Sequence, residues 1–369
     1  MNKIYLSSPS MGKNEHKYVS DVFKTNWIAP VGPYLEKFEQ NISNQVGVNN
    51  VVALQSGTSA IHLALRILDI GKDDIVLCQS STFIGSASPI IYQNATPIFV
   101  DSERDTWNIC PNVLEEAIID CINKGNKPKA IIIVHLYGMP AKMDEIINIS
   151  KKYEIPIIED AAESLGSHID NKQCGSFGRF GIFSFNGNKI ITTSGGGALV
   201  SHNKNDTNKA KFLATQAKEK DLHYEHNTYG YNYRLSNVLA AIGCGQMEVL
   251  NQRIKQKRNI FDHYKSSFSS IKFQNEPNGY FSNRWLTCGL LKNKKQRDNL
   301  ITTLSKYNIE SRPLWKPMHM QPLFKTSKYY GSNISEDLFN RGICLPSDVN
   351  MTEKDLNRID KILINFFKI

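Results

Sequence analysis

Ile155-Pro-Ile-Ile-Glu-Asp160-Ala-Ala-Glu163 is a short apolar run closed by acids, and about thirty residues on stands Ser184-Phe-Asn-Gly-Asn-Lys189-Ile-Ile-Thr-Thr-Ser-Gly-Gly-Gly197. A continuous apolar run of this length reads as a strand buried on both faces, with Asp160 at its carboxyl end. Similar runs occur at 50–54, 75–78, 96–100, 130–135, 155–159, 181–185 and 198–201, separated by helical stretches. Strands alternating with helices are the pattern of an α/β domain. A helix opens at Gly57-Thr58-Ser59, where Ile61, Ala64, Leu65 and Leu68 follow at helical spacing and Gly71 supplies a stop. Residues 144–153 read as another helix. The helix-rich stretch 236–266 leads into a smaller part in which 279–292 supplies strands and 352–367 a closing helix. The expected division is a large domain over 1–245 and a smaller C-terminal α/β domain over 246–369.

Composition narrows the class. A hydrophobic fraction of 41% beside 21% charged residues is that of a globular chain able to bury a core. No segment has the apolar length of a membrane span. The opening MNKIYLSSPSMGKNE lacks a secretory leader's apolar stretch, so a cytoplasmic location and no membrane partner are expected. The seven cysteines are scattered without a CxxC pair, which suggests neither a disulfide framework nor a structural metal site. The formal charge of +9 is dispersed, so no nucleic-acid partner is expected; a substrate bearing a diphosphate suits such a surplus equally well.

The chemistry lies at the strand ends. Val51-Val-Ala-Leu-Gln-Ser56-Gly-Thr58-Ser59 is strand, glycine turn and helix start. A helix start offers free N–H groups and partial positive charge, and two hydroxyls there add donors for a phosphate. The same hydroxyls also suit an ordinary helix cap. Asp160 should face the carboxyl edge of the sheet, where α/β proteins bind ligands. Phe83, after the second strand, offers a flat ring. Lys189 sits between the hydroxyl of Ser184 and a triple glycine that permits close backbone approach. Phosphate hydroxyls, aromatic, aspartate and lysine follow in one order along the chain. Together they meet the needs of pyridoxal 5′-phosphate: an amine for its aldehyde, an anion for its ring nitrogen and donors for its phosphate.

The chain resembles the sugar-nucleotide aminotransferases of the DegT/StrS type, within the fold-type-I pyridoxal phosphate enzymes. The resemblance runs nearly end to end, through Asn26-Trp-Ile-Ala-Pro-Val-Gly-Pro33, Gly57-Thr-Ser-Ala-Ile-His-Leu-Ala-Leu65, Val134-His-Leu-Tyr-Gly-Met-Pro140 and Glu159-Asp-Ala-Ala-Glu-Ser-Leu-Gly166. It continues through the Lys189 segment, Gly230-Tyr-Asn-Tyr-Arg-Leu-Ser-Asn237, Ser311-Arg-Pro-Leu-Trp-Lys-Pro-Met-His319 and Gly342-Ile-Cys-Leu-Pro-Ser347. It implies a mixed, mostly parallel seven-stranded sheet in the large domain. It also implies that Lys189 holds the cofactor aldehyde, Asp160 meets the ring nitrogen and Phe83 stacks on the ring. Thr58, Ser59 and Ser184 would hold the phosphate. Asn232 would reach the phosphate of a neighbouring subunit, so a homodimer with shared sites is implied. Trp27, Ile28 and Ala29, with Arg312, Lys316 and His319, are implied as sugar-nucleotide contacts, the last three across the dimer interface.

Two positions depart from the family's common pattern: Glu163 stands where many relatives have glutamine near the cofactor's 3′-oxygen, and Gly196 where many have an acid. The Asn186-Gly-Asn-Lys189 wording is most similar to enzymes that aminate UDP-4-keto-6-deoxy-N-acetylglucosamine for surface glycans or glycoproteins. The implied reaction uses L-glutamate as amino donor and releases 2-oxoglutarate, with Lys189 moving the proton in both halves. The alternatives are a GDP-4-keto-6-deoxymannose substrate, as in perosamine formation, or a 3-keto sugar nucleotide. The dehydratase branch of the same fold is disfavoured, since the resemblance expects histidine there in place of Lys189.

Overall fold

A computed structural model describes residues 2–368. Its centre is a sheet of β1 (Asn50–Leu54), β2 (Ile75–Gln79), β3 (Thr96–Val100), β4 (Ala130–Val134), β5 (Ile157–Asp160), β6 (Phe180–Ser184) and β7 (Gly197–Ser201). All seven expected runs are strands. The order β1-β7-β6-β5-β4-β2-β3 places β5 at the middle, parallel to β4 and β6, whereas β7 is antiparallel to both of its neighbours. The fifth begins two residues later than its sequence suggests, because Pro156 has no N–H to give and offers only its carbonyl, to Ile131 N–H at 3.0 Å.

Side chains alternate across the strands and so feed two layers. Val52, Leu54 and Ile182 pack under helix Gly57–Ile67, while Ala53, Phe183 and Ala198 pack against helix Pro33–Val46 and the first half of helix Asn237–Ser267. This last helix runs unbroken for 31 residues and contains the expected boundary at 245. Its Ala240, Cys244 and Leu250 belong to the large sheet's core, and its Ile260 and Tyr264 to a second core with Ile343, Leu345 and Leu363. That second core lies beside an antiparallel sheet of β8 (Lys272–Phe273), β9 (Thr287–Leu290), β10 (Arg312–Pro313) and β12 (Gly342–Leu345), ordered β8-β9-β12-β10. Ile4 joins it from the other end of the chain.

One strand of the large sheet was not expected. Tyr329–Tyr330, β11, adds an eighth member to the large sheet, parallel to β3 in the register Tyr329↔Phe99 and Tyr330↔Val100. The C-terminal part thus contributes to the large sheet, at an edge.

The helix Gly57–Ile67 decides where a ligand can sit. Ser56 caps it, its hydroxyl accepting Ser59 N–H at 3.0 Å, so the start is fixed directly after β1. β7 passes hard against this start: a Cβ on Gly197 would stand 2.3 Å from Ser56 C and 2.4 Å from Gly57 N. Those are backbone atoms with nowhere to go. Gly197→Ala should therefore cost roughly 1–3 kcal/mol of stability by overpacking, measured by denaturant unfolding. Gly71→Ala, where a Cβ meets nothing within 4 Å, should stay within about 0.5 kcal/mol of the unsubstituted chain.

Candidate active site

The carboxyl ends of β5 and β6 and the start of helix Gly57–Ile67 open into one cavity of about 810 Å³. Thr58 and Ser184 line it. They arrive from different elements but are close: a Cβ on Gly57 would lie 3.3 Å from Ser184 Cβ, and one on Gly85 would lie 3.0 Å from Thr58 Oγ1. Two hydroxyls beside a helix N-terminus make a cradle suited to a dianion. Ser59, the next residue, is turned away: its hydroxyl is buried, donates to Ser56 O at 2.9 Å and lies 2.8 Å from Ser56 Oγ.

Asp160 ends β5 inside the cavity and is only 7% exposed. Its Oδ2 accepts Ser86 O–H at 2.5 Å and its Oδ1 accepts Ala162 N–H at 3.2 Å. Ser86 Oγ lies in turn 2.7 Å from Thr82 Oγ1. A carboxylate so held keeps its direction, and a cation or protonated ring nitrogen is its natural partner. Phe83, on the same wall, is 56% exposed, its ring 5.6 Å from that of Trp315 at 51°.

Lys189 enters on a closed loop. Phe185 N–H donates to Gly196 O at 2.8 Å, Thr193 N–H to Phe185 O at 2.9 Å, and Lys189 N–H to Asn186 O at 2.9 Å. The loop leaves β6 and returns into β7 with its base pinched shut, so Lys189 points from a fixed stem. Its side chain is 11% exposed, with Nζ 3.5 Å from Glu163 Oε1 and 4.4 Å from the centre of the Trp285 ring. Glu163 Oε2 accepts Tyr137 N–H at 2.6 Å. Burial pushes the Glu163 carboxyl up to about 7, against the pull of Lys189 and the Tyr137 N–H and with the push of Asp160.

Arg312 and Lys316, expected to act across a dimer interface, instead line the cavity of their own chain, from β10 and the turn after it, with Arg312 held by Glu310 at 2.9 Å. The remaining candidates lie elsewhere. His319 is stacked on Tyr329 with ring centres 3.7 Å apart, and its nitrogens face Ser80 Oγ at 2.7 Å and Glu336 Oε1 at 3.3 Å. It is packed between segments and does not line the cavity. Trp27, Ile28 and Ala29 are exposed and tied by backbone to helix Asn237–Ser267, Asn237 donating to Trp27 O at 2.8 Å and Ala29 O at 2.9 Å. Asn232 is exposed, accepts from Gln216 Nε2 at 3.1 Å and is also outside this cavity. Nothing in the sequence marks Ser86 or Trp285 as site residues. Each meets its partner across more than seventy residues of chain, 74 for Ser86 and Asp160, and no local pattern announces such a contact.

Pyridoxal phosphate fits what is present. One wall carries an amine, another a hydrogen-bonded buried carboxylate, and the helix start carries two hydroxyls, all on a single cavity. Among the described residues no set of three or more His, Cys, Asp or Glu is placed to hold a metal, and no helix is long and apolar enough to cross a membrane.

Residues 9–363 match the DegT/DnrJ/EryC1/StrS aminotransferase family. A Bacillus subtilis protein bearing the name of a pyridoxal phosphate-dependent aminotransferase, EpsN, is 50% identical over 99% of this chain and 96% of its own length. The GDP-perosamine synthase of Escherichia coli O157:H7 is 36% identical, covering 100% and 99%. A solved structure from Streptococcus pneumoniae in its PLP form, titled as a sugar aminotransferase, superposes with a TM-score of 0.92 at 25% identity, covering 100% and 99%. The chain belongs to the DegT/DnrJ/EryC1/StrS aminotransferase family and is a pyridoxal phosphate-dependent aminotransferase.

Proposed function

We propose that the chain transfers the amino group of L-glutamate to a nucleotide-linked 4-keto-6-deoxy sugar, best read as UDP-4-keto-6-deoxy-N-acetylglucosamine, for surface glycan or glycoprotein synthesis. The observation carrying this reading is the convergence of Lys189, Asp160, Thr58 and Ser184 on one cavity that extends to two cations, Arg312 and Lys316. When bound, pyridoxal phosphate supplies the aldehyde and an electron-accepting ring. Lys189 would hold it through its amine, and the same side chain, lying in the cavity, would serve as the acid and base of the reaction. Asp160 keeps a proton on the ring nitrogen. Thr58, Ser184 and the helix N–H groups bind the phosphate, while Phe83 covers the ring. Arg312 and Lys316 provide positive charge for the sugar's diphosphate. The GDP-linked sugar is the second reading, supported by the perosamine synthase at 36% identity.

A homodimer belongs to the same proposal. Asn232 is exposed outside the cavity of its own chain, on a segment whose Leu222, Tyr224 and Tyr229 are exposed. Several large apolar side chains left in water on one segment suit burial against a second copy. Trp27, Ile28 and Ala29, exposed as well, would then reach sugar nucleotide in the partner's cavity or at its rim.

Two outcomes are expected. Lys189→Ala abolishes turnover, and Asp160→Asn lowers kcat by about 10²-fold or more while the chain stays folded, both read in a glutamate-dependent assay. With UDP- and GDP-linked 4-keto-6-deoxy sugars offered side by side, mass spectrometry finds the 4-amino product from the UDP sugar. Amination of the GDP sugar alone overturns the first reading in favour of the second, and amination of neither overturns both.

A further inference from the structure

The Lys189 amine has a built place of its own, apart from any ligand. On one side stands Glu163 Oε1 at 3.5 Å; on the other is the face of the Trp285 indole at 4.4 Å. A carboxylate and an aromatic face both stabilise an ammonium group. The indole is bound to the same loop, Trp285 Nε1–H donating to Asn188 O at 2.7 Å, one residue before the lysine. The Tyr137 ring is stacked with it, centres 6.3 Å apart at 22°.

The acid and the indole are not independent. Asn283, fully buried, donates from Nδ2 to Glu163 O at 2.8 Å and Leu165 O at 3.0 Å, and its Oδ1 accepts Trp285 N–H at 2.9 Å. Its own N–H donates to Ser167 Oγ at 2.9 Å. A Cβ on Gly138 would strike Asn283 Oδ1 at 2.0 Å, so the turn that orients Tyr137 also leaves room for this amide. One side chain thereby sets the spacing between the two groups that flank Nζ.

We propose that Glu163 and Trp285 form a dock for the Lys189 amine, occupied whenever that amine is not bonded to the cofactor, and that both act as positioning residues for the lysine. The proposal rests on, and deepens, the assignment of Lys189 as the cofactor amine. Four titratable groups face Glu163: Lys189 from its loop, Asp160 from the end of β5, Tyr137 from the turn after β4 and Cys288 from β9. Of these only Lys189 brings positive charge. Glu163 Oε1 stands 3.5 Å from Nζ, so whenever this carboxyl carries its charge it favours the ammonium form of a docked lysine. An ammonium cannot attack an aldehyde, and the dock therefore governs when the lysine can recapture the cofactor.

The test uses the full chain stripped of cofactor. Recapture of pyridoxal 5′-phosphate is followed by the yellow absorbance band across a pH series, and the adduct is fixed with borohydride and located by peptide mass. Glu163→Gln, of the same shape, should lower the pH of half-maximal capture by about one pH unit, the low end for removal of one charge within ~4–6 Å. Trp285→Leu should move it the same way, and Trp285→Phe, which keeps a ring face but not the N–H, should restore most of the difference. A purely structural loss would slow capture at every pH and leave that midpoint in place. An unmoved midpoint in Glu163→Gln overturns the dock, whatever the fate of the Leu variant. Failure of the unsubstituted chain to fix the cofactor on Lys189 is a separate result, which overturns the lysine assignment and the dock with it.

Discussion

Two carboxyl groups three residues apart are kept from water at the end of β5, and the surroundings are arranged around that cost. A buried carboxylate without partners is expensive, and a second one nearby raises the cost further. Asp160 meets it with fixed donors, the Ser86 hydroxyl and the Ala162 N–H. Glu163 meets it with one N–H and one amine. The difference divides their chemistry: two donors and no cation leave Asp160 a directed anion ready for a positive ligand atom, whereas Glu163 already has its cation. The central place of β5, parallel between β4 and β6, makes this geometry stiff, because neither neighbour can shift without breaking its ladder.

The residues legible in the sequence are those whose place follows from an element's end. Asp160 closes a strand, Ser184 closes the next, and Thr58 opens a helix, so each reaches the same sheet edge once the α/β alternation is recognised. Thr58 and Ser59 look alike on paper, yet successive helical residues point about 100° apart, and Thr58 is the one that lines the cavity. The helix cap claims the other. His319 stands in a motif that reads as substrate-facing, but Tyr329 and Ser80 enclose it. β11 was invisible for a related reason: two tyrosines have no periodicity, and their strand exists only because β3 offers an open edge.

The cavity is assembled from two parts of the chain, with strand ends from the large sheet on one side and β10 on the other. The N-terminal segment, which no motif marked, braces the C-terminal part against the long helix Asn237–Ser267. Glu310 N–H donates to Ile4 O at 2.8 Å, Ser347 N–H to Leu6 O at 2.7 Å, and Ser8 N–H to Asp348 Oδ2 at 2.9 Å. From helix Asn237–Ser267, Arg253 donates to Met11 O at 2.8 Å and Lys257 Nζ to Ser7 Oγ at 2.9 Å and Ser347 O at 2.6 Å. Leu6 and Ser7 line the cavity themselves. Burial pushes the Lys257 amine down to about 7, so near neutrality it need not carry charge to stay inside. A neutral amine still has two hydrogens to give, and its two acceptors here are a hydroxyl and a carbonyl, neither of them an anion. The contact that ties Ser7 to Ser347, just past the last strand, is therefore satisfied in either protonation state.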